Sequence, residues 1–256
     1  MSAKLHQSKD GSSTLYSSQF QQFYHNPNGA VTESLHVFFE SPGVIDFIKN
    51  NSEISILEVG FGTGLNFILL LDLCKKLNPQ IEIKFYSIEA FPVDPQTASD
   101  FNFKEHLHFS ELNDELPDLF TNLKTGWNLK KPKIDLNAEL HLYYGTFKSF
   151  DLGDLTTDFM FHDPFSPEVN AELWTDSVFS TLKKYAKPDT VLATYCAASK
   201  ARGAMAAAGW KVARAAGALG KREMTLAALN PEKLQGYKRV NESKLAERYV
   251  VGDFDR

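Results

Sequence analysis

Two short stretches hold residue types whose spacing can do chemistry. The first is Glu58-Val59-Gly60-Phe61-Gly62-Thr63-Gly64, set between the apolar residues Ile54, Ile56, Leu57 and Val59 and a second apolar run from Leu65 to Leu77. Glycines between a strand and a helix turn the chain tightly and let a ligand approach the backbone. The second is Phe161-His162-Asp163-Pro164-Phe165-Ser166-Pro167, which closes another strand candidate, Asp158 to His162. Ligands of open α/β sheets bind at the carboxyl ends of the strands, where Asp163 falls. A carboxylate there can accept a hydrogen bond from an amine N–H, aim the nitrogen lone pair and stabilise charge developing on an alkylated nitrogen. Pro164 and Pro167 stiffen the turn, and Phe165 offers a ring to pack on a flat base. Without a ligand, the same Asp reads as a turn or helix-capping residue. His162 is expected to point into the sheet packing.

The glycine spacing narrows the ligand. It is G-x-G-x-G, lacking the G-x-G-x-x-G of nicotinamide and flavin sites and the Lys-Ser/Thr of a phosphate-cradling loop. S-adenosylmethionine has no pyrophosphate and suits such a loop, with Glu58 as its acidic lead-in. Glu89 ends a second strand, Ile81 to Ala90, where a carboxylate can accept from both ribose hydroxyls. Gly145-Thr146 follows a third strand, Leu140 to Tyr144, and is expected beside the adenine, although Thr146 is neutral where an Asp is commoner. Other chemistries have little foothold. None of the seven histidines has helical metal-ligand spacing, and no Ser sits in G-x-S-x-G. Cys74 and Cys196 are far apart, which fits a reducing, cytoplasmic setting, and Cys196 reads as a packing residue.

The elements that position these residues alternate. Further strand candidates are Val191 to Cys196, Trp210 to Ala216 and Glu223 to Leu229, with helices over Leu65 to Leu77 and Asn170 to Ala186. Alternating strands and helices predict an α/β fold with a mostly parallel sheet covered on both faces. The last two strands, joined by a short glycine-containing link, predict a closing hairpin with one antiparallel strand. That is the ending of a Rossmann-like class I methyltransferase sheet. The division expected is 1–50 as an N-terminal extension packed on the core, 51–230 as the methyltransferase domain and 231–256 as a C-terminal tail. A helix is expected from Glu33 to Asn50, broken at Pro42-Gly43. Residues 111–139, polar and carrying Lys124, Lys130, Lys131 and Lys133, are expected to form a loop or insertion.

The chain has 256 residues and a net charge of -5, which argues against indiscriminate nucleic-acid binding. Residues 199–256 nevertheless carry +6 against -11 for the rest, so one positive face toward phosphate is available. The polar N-terminus is not a signal peptide, and no apolar run is long enough to span a bilayer.

Four stretches resemble the tRNA wobble-uridine aminomethyl methyltransferase family, of the MnmC/MnmD type. They are Tyr24 to Ser34, Leu57 to Phe67, Asp163 to Thr175 and Gly217 to Met224. The resemblance implies methylation, from S-adenosylmethionine, of the aminomethyl nitrogen of 5-aminomethyl(-2-thio)uridine in the tRNA anticodon region. It implies cofactor contacts from Glu58, Gly60, Gly62, Thr63, Gly64, Asn66, Glu89, Gly145, Thr146 and Asp163. Substrate contacts are implied for Tyr24, Glu33, Phe165, Lys221 and Arg222, the last two toward RNA phosphate. Asp163 takes the catalytic position, and no metal is implied. No residues remain for a fused oxidase, so a stand-alone form is expected, with a separate enzyme supplying the aminomethyl uridine. The row Ala213, Ala215, Ala216 and Ala218 departs from bulkier family residues. Two other readings stay open: an aminopropyltransferase of the spermidine-synthase type, and a non-catalytic cofactor-binding protein.

Overall fold

The computed structural model describes residues 3–254. The chain opens with an antiparallel meander, β1 (Ala3–Gln7), β2 (Ser13–Ser17) and β3 (Gln22–Phe23). Asp10, in the first turn, accepts from Ser8 and Ser12 and from the backbone and hydroxyl of Thr32. This ties the meander to α1 (Ala30–Ser34), which runs into a π-helical turn over Leu35–Glu40. The expected break comes at Gly43, whose φ of +87° ends the turn before α2 (Val44–Asn50). The helix therefore begins three residues earlier than expected and is wound in two pieces.

The central sheet then builds from β4 (Glu53–Val59), α3 (Leu65–Leu77), β5 (Glu82–Glu89), α4 (Pro95–Ser99), α5 (Leu116–Phe120), β6 (Gly126–Lys130), β7 (Ala138–Tyr144) and β8 (Thr157–His162). It is completed by α6 (Asp176–Lys184), β9 (Ala186–Thr194), α7 (Ser199–Ala207), β10 (Lys211–Ala215), β11 (Met224–Ala228), β12 (Lys238–Arg239) and α8 (Glu242–Val250). The strand order is β12-β10-β11-β9-β8-β4-β5-β7-β6. Strands β7, β5, β4, β8 and β9 run parallel, and β11 is antiparallel to β9 and β10, as the hairpin reading required.

Period-two alternation divides each central strand between two cores. Ile54 and Ile56 of β4, Ile83 and Phe85 of β5, and Phe159 and Phe161 of β8 enter one core with α3 and Leu15 of the meander. Leu57, Val59, Ile88 and Met160 enter the other with Trp174, Phe179, Met205 and Trp210. Among the described residues no helix is long and apolar enough to cross a membrane.

Three local expectations differ from the structure. The 111–139 stretch holds α5 and β6, and β6 extends the sheet by pairing antiparallel with β7. Its large apolar residues, Trp127 and Leu129, face outward, which hid the strand. The expected helix from Asn170 starts as a 3-10 turn over Ala171–Trp174, and α6 begins only after Thr175 caps it. Residues 231–256 supply edge strand β12 and helix α8. That helix packs so close to α7 that a Cβ at Gly203 would lie 3.0 Å from Tyr249 Cβ.

Candidate active site

The carboxyl ends of β4, β5 and β8 meet at the glycine loop. Gly60 takes φ +94°, and its N–H donates to Ile88 O at 3.0 Å, pinning the loop to β5. A Cβ on Gly60 would sit 2.8 Å from the Asp163 carbonyl oxygen, so only glycine lets the two loops touch. Gly62 donates its N–H to Glu89 Oε2 at 2.9 Å, while Glu89 Oε1 accepts from Phe91 N at 2.7 Å. Burial raises the Glu89 carboxyl above its usual range, against these backbone donors.

Behind the loop, Glu58 is buried and accepts from Asn66 Nδ2 at 2.9 Å and Ser87 Oγ at 2.8 Å. Burial pushes its carboxyl up to about 8. Asn66 Nδ2 also donates to Asp163 Oδ2 at 3.3 Å, so one amide joins the two acids. The Asn66 Oδ1 atom is buried without a hydrogen-bond partner, on a side chain that lines the cavity. Asp163 is raised well above the usual carboxylate range, first by burial and then by the charges of Glu58 and Glu33. Asn66 and Lys221 oppose that rise.

The loop after β8 is braced from three sides. Tyr195 OH donates to Pro164 O at 2.8 Å, Trp174 Nε1 to Phe165 O at 2.8 Å, and Ser166 N to Gln22 Oε1 at 3.0 Å. The Phe165 ring stacks on Phe20, with centroids 4.5 Å apart, and meets the edge of Tyr24. His25, also from the meander segment, bridges Thr14 and Thr63 of the glycine loop at 3.3 Å on each ring nitrogen. Glu33 accepts from the backbone and side chain of Asn26 and pairs with Lys221 Nζ at 2.8 Å. The Lys221 ammonium lies 4.9 Å over the Tyr195 ring.

A single cavity of about 1630 Å³ runs past these groups. Gly60, Gly62, Asn66, Glu89, Thr146, Asp163, Tyr24, Glu33, Phe165 and Lys221 all open on it. Glu58, Thr63, Gly64, Gly145 and Arg222 do not. Glu58 stands behind Asn66, Thr63 is turned to His25, Gly64 caps α3, Gly145 donates to the Glu89 carbonyl, and Arg222 is exposed on the hairpin loop. His162 is buried between Trp174 and Phe179, facing the packing as expected. Phe20, Gln22, His25 and Tyr195 are wall residues that the sequence reading missed. Tyr195 follows the end of β9, so the strand-end rule that singled out Asp163 could have found it. The three meander residues carry no such signal.

Residues 111–230 match a family described as S-adenosyl-L-methionine-dependent methyltransferase, a span that takes in the loop after β8 and the β10–β11 hairpin but not the glycine loop. Over 95% of its length the chain is 32% identical to the tRNA 5-methylaminomethyl-2-thiouridine biosynthesis bifunctional protein MnmC of Cupriavidus metallidurans, covering 36% of that protein. It is 30% identical, over 87% of its length, to the protein of the same description from Leptospira interrogans, covering 35% of it. The chain thus spans about a third of the length of these curated relatives. The crystal structure of MnmC2 from Aquifex aeolicus superposes with a TM-score of 0.77 at 22% identity, over 98% of this chain and 76% of that one. That likeness is one of fold, the class I methyltransferase sheet.

Proposed function

Because the chain belongs to the S-adenosyl-L-methionine-dependent methyltransferase family represented by the MnmC proteins, we propose that it methylates the aminomethyl nitrogen of 5-aminomethyl(-2-thio)uridine at the tRNA wobble position. One observation carries this reading: the glycine loop and Glu89 open on the same cavity as Asp163, Glu33 and Lys221. Its volume, about 1630 Å³, exceeds the roughly 300–1,000 Å³ of a pocket for one small ligand. Two reactants can therefore occupy it together, as a direct transfer between them requires.

The residues present fit the cofactor. Gly60 and Gly62 leave the loop backbone bare where it meets Asp163 and Tyr24, Glu89 offers acceptors for the ribose, and Asn66, bonded to Glu58 and Asp163, lines the cavity. Thr146, at the cavity wall, takes the adenine end. Bound S-adenosylmethionine supplies an electrophilic methyl group, a C–N bond forming as the S–CH3 bond breaks. Asp163 accepts a hydrogen bond from the acceptor amine, turns its lone pair inward and takes up the proton the ammonium form must shed. Its raised carboxyl suits the last role, since a more basic carboxylate holds that proton better. Tyr24 and Phe165 flank the base, and exposed Arg222 is left for phosphate. A separate enzyme would supply the aminomethyl uridine.

The test is incorporation of labelled methyl into tRNA isolated from cells lacking the final methyl group. Label in the wobble nucleoside is the expected result. Transfer of an aminopropyl group to a polyamine, or cofactor binding without transfer to any amine, would overturn the reading.

A further inference from the structure

Any enzyme that alkylates a primary amine must first remove a proton. An alkylammonium in water holds that proton to about pH 10, as a lysine does. The wall around Asp163 decides how far this changes. Two carboxylates, Asp163 and Glu33, act on this end of the cavity, and each would favour an ammonium between them. Lys221 stands against both. Its ammonium pairs with Glu33 at 2.8 Å and opposes the rise of the Asp163 carboxyl.

The pair is built in. Asn26 donates to both Glu33 oxygens, and the hairpin loop docks on the Asn26–Gly29 turn, where a Cβ at Gly29 would meet Leu219 at 3.0 Å. His36 Nε2 bonds the Ala216 carbonyl oxygen at 2.8 Å from the same side. Tyr195 puts its ring under the ammonium. Other ionisable groups near Lys221 are Cys196 beside Tyr195, Glu168 on the loop after β8, and Arg222 and Glu223 on its own loop. Glu58 and Glu89 are engaged elsewhere, by Asn66 and Ser87 and by the Gly62 and Phe91 amides.

We infer that Lys221 sets the charge felt by the acceptor amine: by pairing with Glu33 it leaves Asp163 as the carboxylate that acts on that amine. The inference rests on the amine-methylation reading above. Lys221 acts through Glu33 and is a positioning residue. The proton leaving the substrate ammonium passes to Asp163, and the nitrogen lone pair it uncovers forms the new C–N bond. A neighbouring cation lowers the proton affinity of an amine by the same principle that activates paired lysines. The Lys221 side chain is 43% exposed, so solvent reduces the effect to about one pH unit.

The experiment compares wild type, Lys221→Met, Glu33→Gln, the double variant and Lys221→Arg on tRNA bearing 5-aminomethyluridine. The pH dependence of kcat at saturating tRNA is measured, because it reports groups in the bound complex, and with S-adenosylhomocysteine bound the 13C shift of a labelled aminomethyl carbon is titrated. Lys221→Met should move the acidic limb and the 13C midpoint up by about one pH unit, losing roughly tenfold in rate below the wild-type midpoint and recovering it above the shifted one. Glu33→Gln should move both down, the double variant should restore them, and Lys221→Arg should stay close to wild type. Unmoved limbs and midpoints in both single variants would overturn the inference alone. So would a pH-independent loss in Lys221→Met with a shallower salt dependence, which marks a phosphate ligand instead. A wild type unable to methylate any amine would sink the functional reading, and this inference with it.

Discussion

Asp163 is held through a single side chain, Asn66, whose amide nitrogen also donates to the buried Glu58. The acid that opens on the cavity is therefore aimed by an acid that does not. Asp163→Ala should lower kcat at least about 100-fold, the scale for losing a preorganised electrostatic group. The Kd for S-adenosylmethionine, read by calorimetry, should change less than about threefold, and near-normal turnover would remove Asp163 from the reacting centre. Glu89→Ala should fail in the opposite order, weakening cofactor binding about tenfold or more before turnover, because Glu89 also orders Gly62 and Phe91. Both residues were legible in the sequence because each ends a strand whose alternation is plain. Phe20, Gln22 and His25 were not. They reach the cavity only because the meander folds over it, as when Gln22 takes the Ser166 amide across 144 residues. Local pattern cannot report such a contact. Lys221 and Glu33 were each singled out by the resemblance, but their pairing across 188 residues was seen only in the fold.

At the scale of elements, the loop after β8 is a platform whose position depends on its braces. Tyr195→Phe keeps the ring under Lys221 and removes only the hydroxyl that donates to Pro164 O. It leaves a carbonyl without that donor, at a cost of about 1–2 kcal/mol in urea denaturation. If the platform sets the Asp163 geometry, kcat should fall several-fold with little change in cofactor affinity. A stability loss with unchanged kcat would make the brace merely structural. The elements that carry the platform follow from the sequence because buried parallel strands are rich in Ile, Val, Leu and Phe. The glycine loop and the closing hairpin follow from their spacing. The edges were obscure for the opposite reason. Strand β6 turns Trp127 and Leu129 outward, and β12 has two residues, both charged, so neither shows an inward apolar face. The helix before Trp174 was misjudged because the indole bond to Phe165 O fixes a 3-10 turn that propensity does not foresee.

Over the whole molecule, charge is divided, with +6 in residues 199–256 and -11 in the rest. The positive segment supplies β10 to β12, α8 and the hairpin loop bearing exposed Arg222. Arg222→Ala should weaken tRNA binding several-fold and reduce the salt slope by about one, and an unchanged slope would take it off the RNA face. Buried titratable groups make stability depend on pH from both sides. Burial pushes His25 down to about 4, against Asp10, and His162 down to about 3, against the Leu173 backbone. Between their unfolded value near 6.5 and these values the unfolded chain binds more protons, so stability falls as pH falls. Glu58, pushed up to about 8, works the other way. Between about 4.5 and 8 the folded chain keeps the extra proton, and stability is lost as pH rises. His162→Leu should leave neutral stability nearly unchanged, since neither ring nitrogen makes a well-formed hydrogen bond, and should flatten the decline from pH 6.5 to 3. Glu58→Gln should flatten the alkaline decline, a gain of at most about 5 kcal/mol at pH 8, while weakening the hold on Asn66 and with it turnover. Urea midpoints at pH 4, 6 and 8 separate the two effects. If neither substitution changed the shape of that curve, these groups would ionise as freely inside the fold as outside it, and the burial that raises Glu58 and Asp163 would not exist in solution.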